Sequence, residues 1–365
     1  MSGLDVHVIP TDAPDDMSGL ETLLETEQFS VDQLICLLGK TEGNGCVNDF
    51  SRGLATMAAE RTLGAYSPTA PAEINDDVML IMSGGTEGVM TPHLTAFSHL
   101  PPTTPRNTEP RLVGGTTRTN AFDPAEIGRL PQVNATAAAV RTAMERAGIH
   151  RPEAVEFVQI KCPLLTANDI EQARADGNTV VTDDTYKSMA YSRAASALGV
   201  AVATGELSDD TITDDVVCKD PSVYSSVAST SAGVELDHSE VLVLGNSPES
   251  DSDLVIGSAV MEDSLDTAAV ERAIETVGLS PTDPNLSSKI RNVLVKAQAS
   301  SDGMIRGRRH VIHDDSDIQP TRHARSVVNA VIGAITGDPL SYVSGGAEHQ
   351  GPDGGGPIAV IAQAE

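Results

Sequence analysis

The chain has 365 residues, 40% of them hydrophobic, and a formal net charge of −28. That length buries a large core and suggests two or three units. So acidic a surface repels phosphate backbones and anionic lipid, which argues against nucleic-acid and membrane partners. Aromatic residues make up 3% of the chain and tryptophan is absent, so the core must come from Val, Ile, Leu, Ala and Met. Cys36, Cys46, Cys162 and Cys218 form no C-x-x-C pair, so neither a zinc ribbon nor a thioredoxin-like site is signalled. The N-terminal stretch lacks the basic and apolar regions of a secretory signal, and no apolar run is long enough to span a bilayer. The expected location is the cytoplasm, with reduced thiols. Six lysines against a large acidic excess fit adaptation to a salty cytoplasm, a reading that retained activity in dilute buffer would oppose.

In chain order, SGLETLLET reads as a helix, LICLLGK as a strand ending at Lys40, and Ser51-Arg52 as the opening of a second helix. A further apolar run leads into Ser83-Gly84-Gly85-Thr86-Glu87, followed by a strand at RLVGG. The series then repeats. The helix VNATAAAVRTAMERAGI precedes the strand FVQIK, which ends at Lys161. Ser192-Arg193, Ser231-Ala232-Gly233-Val234-Glu235 and the strand EVLVLGN follow. It repeats again as DTAAVERAIETVGL, NVLVK ending at Lys296, Thr321-Arg322, Ser344-Gly345-Gly346-Ala347-Glu348 and PIAVIA. The second and third helices carry apolar residues at helical spacing and end near glycine, as a C-cap would.

One Ser-Gly-Gly is most often a tight turn, but the order lysine, arginine, serine occurs three times. The chain therefore divides into three repeats of helix and strand, of α/β class, over residues 1–104, 112–250 and 254–365. Their boundaries are expected in PPTTPRNTEP and NSPESDSD. Taken singly, Lys40 and Lys296 read as strand-end charges and the arginines as residues that cap or pair within the fold. As three matched sets they suggest chemistry. Burial and a nearby arginine lower a lysine's pKa, and a neutral lysine can take the proton of a serine hydroxyl. Glycines after the serine leave backbone N–H groups for an oxyanion. Three such sets around a pseudo-threefold axis would suit a small ring with repeating carbonyl and N–H groups, the arginines binding its carbonyls.

Other motifs signal less. Gly39-Lys40-Thr41 resembles the end of a phosphate loop, but Leu34 occupies the position of its first glycine. His310, His313, Asp314 and Asp315 could hold zinc, yet the early chain offers only His7 to complete a metal-dependent amidohydrolase site. Gly351-Pro352-Asp353-Gly354-Gly355-Gly356 reads as a surface loop or a backbone-carbonyl cation site.

The stretches GKTEGNGCVNDFSRG, MSGGTEGVMTPH, FVQIKCPLLT, YSRAASALGVAVATGE, SSVASTSAGVELDH, TRHARS and YVSGGAEHQGPDGGGP together resemble cyanuric acid hydrolases and the related barbiturases over nearly the whole chain. Cys46 and KCPLL are closer to the cyanuric acid branch. The resemblance implies a threefold pseudosymmetric barrel, commonly a homotetramer, that opens cyanuric acid to carboxybiuret, which decarboxylates to biuret. It implies Ser231 as nucleophile and Lys161 as base, with Lys40 and Lys296 in supporting pairs. The ring would be bound by Arg52, Ser83, Gly84, Arg193, Ser231, Ala232, Arg322, Ser344 and Gly345. Gln319 falls in the region that bears on substrate choice, which keeps barbituric acid as an alternative, and a non-catalytic binder of cyclic imides is a third reading. No cofactor for catalysis is implied. A structural Mg or Ca ion is implied near Ala347, Gln350, Gly351, Pro352 and Gly355, but the sixth position, glutamate in the family, is Gln298 here, a poorer ligand for a hard cation.

Overall fold

The helix- and strand-like stretches of the sequence form a mixed α/β structure in a computed structural model that describes residues 3–101 and 109–364. The first part of the chain comprises β1 (Leu4–Pro10), α1 (Ser18–Glu25), β2 (Leu34–Thr41), α2 (Phe50–Ala65), α3 (Ile74–Asp77), β3 (Met79–Gly84) and β4 (His93–His99). The second comprises β5 (Arg111–Arg118), α4 (Leu130–Ala147), β6 (Val155–Cys162), α5 (Ala167–Ala175), α6 (Thr185–Ala203), β7 (Ala228–Ala232) and β8 (Glu240–Ser247). The third comprises β9 (Leu254–Met261), α7 (Thr267–Thr276), α8 (Leu286–Lys289), β10 (Ile290–Ala297), the hairpin β11 (Met304–Ile305) and β12 (Arg308–Arg309), α9 (Pro320–Thr336), β13 (Tyr342–Gly345) and β14 (Gly356–Gln363). Local signals explain the helix ends. Gly148, at φ 66°, takes the left-handed C-cap of α4, and the Asp266 carboxylate accepts from the Ala269 N–H at the start of α7.

Three four-stranded sheets result, ordered β1-β4-β2-β3, β5-β8-β6-β7 and β9-β14-β10-β13. Each has the same grammar. An outer strand lies antiparallel to its neighbour, that neighbour lies antiparallel to the lysine-bearing strand, and the lysine-bearing strand lies parallel to the serine-bearing edge strand. RLVGG, expected as the strand after the first serine motif, instead opens the second sheet as β5. The strand after Ser83 is β4, whose polar residues His93, Thr95, Ser98 and His99 interrupt any apolar run.

Two faces of each sheet are buried. One contributes to a core shared by all three sheets, including Leu38 and Phe97 from the first, Phe157 and Leu244 from the second, and Tyr342 and Ile361 from the third. The other face is covered by helices: α1 and α2 on the first sheet, α4 and α6 on the second, α7 and α9 on the third. Among the described residues no sheet closes on itself, so the expected barrel is not a single hydrogen-bonded ring of strands. No helix among them is long and apolar enough to cross a membrane. The expected boundary in PPTTPRNTEP runs across residues 102–108, and the outer limits of the expected units, residues 1, 104 and 365, also lie outside the described residues.

Candidate active site

In the parallel strand pairs Lys40 lies opposite Ser83, Lys161 opposite Ser231 and Lys296 opposite Ser344. Residues opposite one another project to the same face of a sheet, so each lysine shares a face with its serine. All three lysines are buried. The second small residue of each serine motif returns its N–H to the lysine strand: Gly85 to the Thr41 carbonyl, Gly233 to Cys162, and Gly346 to Ala297. Strand alternation then turns the N–H of Gly84, Ala232 and Gly345 the other way.

Arginines reach this region from helices. Arg52 sits in the first turn of α2, which is capped by the Asp49 side chain. Arg193 sits in the middle of α6, a helix buried along most of its length. The third arginine lining the cavity is Arg325, whereas Arg322, expected to bind the ring, is not in the lining. Both meet Glu87, but Arg325 grips it with two bonds of 2.8 and 2.6 Å, whereas Arg322 approaches from a more exposed position at 3.2 Å. The two lie about one helical turn apart. The sequence held a signal for the right one. Phe50-Ser51-Arg52 and Tyr191-Ser192-Arg193 match His323-Ala324-Arg325, an aromatic ring followed by a small residue and arginine.

The glutamate that ends each serine motif had no role in the sequence reading, and it proves to be the arginine's partner. Glu235 pairs with Arg52 at 3.2 Å, Glu348 with Arg193 at 2.7 Å, and Glu87 with Arg325 at 2.6 Å. Every pair crosses from one part of the chain to another: second to first, third to second, first to third. The lysines cross similarly, Lys161 donating to the Met82 carbonyl at 2.9 Å and Lys296 to the Thr230 carbonyl. The arginine that was expected within each lysine's own repeat is therefore supplied by a neighbouring one.

These groups surround a small cavity lined by Gly45, Arg52, Ser83, Gly84, Lys161, Met189, Arg193, Ser231, Ala232, Arg325, Ser344 and Gly345. Gly45 and Met189 were not anticipated, and Arg322 is absent from the lining. A larger hollow lies beside Cys218, Gln298, His349 and Asp353, but it holds none of the three lysine–serine pairs. Chemistry rather than size selects the smaller cavity.

Burial pushes Lys40 well below the ordinary lysine range, and the Arg325 guanidinium adds to the effect. Burial with Arg193 does the same to Lys296. Burial also lowers Lys161, against the pull of Glu235 and with the help of Arg52. Lys296 donates to Ser344 Oγ at 2.9 Å. Lys161 instead meets Glu235 Oε1 at 3.0 Å, and Ser231 Oγ lies 3.5 Å from the Ile160 carbonyl oxygen. Lys40 donates weakly to the Gly84 carbonyl at 3.4 Å.

Gln319 lies outside the cavity lining. Its Oε1 accepts from Tyr186 and from the Cys46 thiol, at 3.4 Å for the thiol, so it joins residues from all three parts of the chain. The C-terminal loop is closed by its own hydrogen bonds. Gln298 Oε1 accepts from the Ala347 N–H at 2.6 Å, the Ala347 carbonyl from Gln350, the Pro352 carbonyl from Gly355, and Gly351 donates to the Ser225 carbonyl. Gln350 Oε1 is taken by the Thr230 N–H. With a neutral amide already engaged in place of a carboxylate, this donor set is a poorer fit for a hard divalent cation. His310 and His313 contact Ser300, and among the described residues no three His, Cys, Asp or Glu side chains cluster for a metal.

A site of this build on this fold is that of a cyclic amide hydrolase. The family described as amidohydrolase ring-opening protein matches residues 5–363, and the chain belongs to that family. It is 51% identical to a cyanuric acid amidohydrolase of Enterobacter cloacae, over 98% of each chain. It is 48% identical to one from Pseudomonas sp. (strain ADP), over all of each. A solved cyanuric acid hydrolase, described as an evolutionary innovation by structural concatenation, superposes with a TM-score of 0.96 at 48% identity over the full length of both chains. Another, from A. caulinodans, gives 0.92 at 45% identity, over 100% of this chain and 99% of that one.

Proposed function

We propose that the protein opens the ring of cyanuric acid to carboxybiuret, which loses CO2 to give biuret, with Ser231 as nucleophile and Lys161 as base. The observation that carries this reading is the cyclic set of lysine–serine pairs and cross-segment arginine–glutamate pairs around one small cavity. A planar ring with alternating carbonyl and N–H groups repeats the same chemistry three times, and Arg52, Arg193 and Arg325 supply donors for its carbonyls. Arg325 thus takes the role first expected of Arg322. Three repeats about a pseudo-threefold axis, with boundaries close to residues 104–112 and 250–254, are part of the same reading, as is a homotetramer in the cytoplasm. A solution mass near one chain would count against the tetramer.

Ser231 Oγ attacks a ring carbonyl and its proton passes to neutral Lys161. The oxyanion gathers at the Ala232 N–H, which alternation turns away from the lysine strand. The ring C–N bond then breaks, the departing nitrogen takes the proton from Lys161, and the ring is left open as an ester of Ser231. Water, deprotonated by Lys161, attacks that carbamate ester, and the Ser231 oxygen leaves with the proton from Lys161, which restores both groups. No step needs a cofactor, and Gln298 ties the C-terminal loop through the Ala347 N–H.

One observation favours a second assignment of the nucleophile: of the three facing pairs, Lys296–Ser344 is the one joined directly, by a hydrogen bond of 2.9 Å. Incubation with cyanuric acid and, separately, barbituric acid, followed by loss of ring absorbance, tests the substrate. Ser231→Ala should abolish turnover, while Ser344→Ala and Ser83→Ala should retain part of it. Turnover surviving in Ser231→Ala but lost in Ser344→Ala would transfer the role to the third pair. Loss of neither ring would leave a binding protein.

A further inference from the structure

Glu235 breaks the symmetry of the site. Glu87 and Glu348 each give both carboxylate oxygens to one arginine, in bonds of 2.6 to 2.8 Å. Glu235 holds Arg52 more loosely, at 3.2 and 3.4 Å, and shares its Oε1 with Lys161 at 3.0 Å. Lys161 alone of the three lysines makes an ion pair with a carboxylate. Its ammonium is anchored between Glu235 and the Met82 carbonyl, away from the serine it faces in register.

We infer that Glu235 is a positioning residue for Lys161, which holds the amine aimed out of line with Ser231 in the free enzyme and favours its charged form. This rests on the assignment of Lys161 as base. The shared oxygen also joins the base to Arg52, a donor in the cavity wall, so a substrate carbonyl that draws Arg52 toward itself loosens the same carboxylate. The other charged or titratable groups facing Lys161 are Arg52, Cys162, Glu240 and Lys40. Burial pushes the Glu235 carboxyl up, but Lys161 and Arg52 outweigh it and hold it down to about 2. It is therefore ionised wherever the enzyme works.

The test is the pH profile of kcat/KM. A general base must be neutral, so the acid limb reports its deprotonation. Glu235→Gln removes the charge that favours the ammonium, and its acid limb should move to lower pH. Glu87→Gln and Glu348→Gln touch only arginines and should lower the rate while leaving the limb in place. Substrate ionisation contributes equally to every variant, so differences between profiles belong to the protein. If Glu235→Gln does not fold, Glu235→Asp keeps the charge but draws it back, and its limb should move the same way by less. An unmoved limb in the folded variant overturns the inference. Lys161→Ala and Ser231→Ala serve as the parallel check: if either retains turnover, the assignment of the base fails, whereas if both are inactive and the limb stays put, only the role of Glu235 fails.

Discussion

Arg193 of the second part of the chain and Glu348 of the third form a two-pronged pair, Nε to Oε2 at 2.8 Å and Nη2 to Oε1 at 2.7 Å. Burial and charge make the pair one-sided in its response to substitution. Glu348→Gln leaves the mostly buried Arg193 without its counter-charge, and loss of one partner of a buried pair costs about 3–5 kcal/mol. The urea midpoint should fall accordingly, with turnover falling too because Arg193 lines the cavity. Combining Arg193→Met with Glu348→Leu should recover much of the stability but none of the activity. Simple addition of the two single losses would mean that the pair does not couple these segments.

Stability should fall as the solution is acidified. Glu235 titrates near 2 in the fold, below its ordinary value of roughly 4.3. Its contribution is therefore complete above the ordinary value and is lost as pH falls through the folded one. Glu348 is lowered too, Arg193 overcoming the effect of burial, and acts in the same direction. Lys40 and Lys296, lowered by burial, act in the same direction as pH falls below the ordinary lysine range, since there the unfolded chain binds their protons more readily than the fold does. Urea midpoints measured from about pH 6 down to about pH 3 should decline. Glu235→Gln should show a shallower decline over the lower part of that range, and an identical slope would count against the depressed carboxyl.

The lysine–serine core of the site was legible because it is local: each residue ends a strand, and strand ends mark themselves by apolar runs and glycine. The arginine from α9 was harder to pick, because Thr321-Arg322 copies the hydroxyl-arginine pattern while Ala324-Arg325 has lost the hydroxyl and keeps only the aromatic residue before it, His323. The partners of Glu87, Glu235 and Glu348 were beyond reach for a different reason. Each lies in another part of the chain, and nothing in a linear pattern says which segment packs against which. The α6 helix begins at Thr185, ahead of the Ser192-Arg193 pair expected to open it, and every residue from Ser192 to Ala203 is buried, which leaves no apolar stripe to mark its start. The β4 strand escaped because its polar residues are buried as well.

Gly85 is a sensitive position behind the cavity. It has φ +97°, and a Cβ there would lie 2.3 Å from Arg325 Nη2. Gly85→Ala should strain the backbone by about 1–3 kcal/mol and displace Arg325 from Glu87, raising KM more than it lowers melting temperature. Gly53, in α2 with nothing near its missing side chain, is the control: Gly53→Ala should be neutral or stabilise by up to about 1 kcal/mol. Equal KM values for the two variants would remove Arg325 from substrate binding.

Gln298 lets the same loop be tested for its dependence on metal. Its amide oxygen meets the Ala347 N–H at 2.6 Å, and Ala347 lies between Ser344 of the third pair and Glu348, the partner of Arg193. A loop tied by an uncharged side chain should be indifferent to chelators, so EDTA should change neither melting temperature nor turnover. Calcium or magnesium added to the native protein should not raise the melting temperature. Gln298→Glu places a carboxylate beside the backbone carbonyls of this loop, which is the hard-oxygen chemistry those ions require. The variant should become cation-responsive, gaining about 2.7 kcal/mol when the ion is present at a hundredfold its Kd. A native protein that already gains stability from calcium, or loses it to EDTA, would show that the amide coordinates the ion after all.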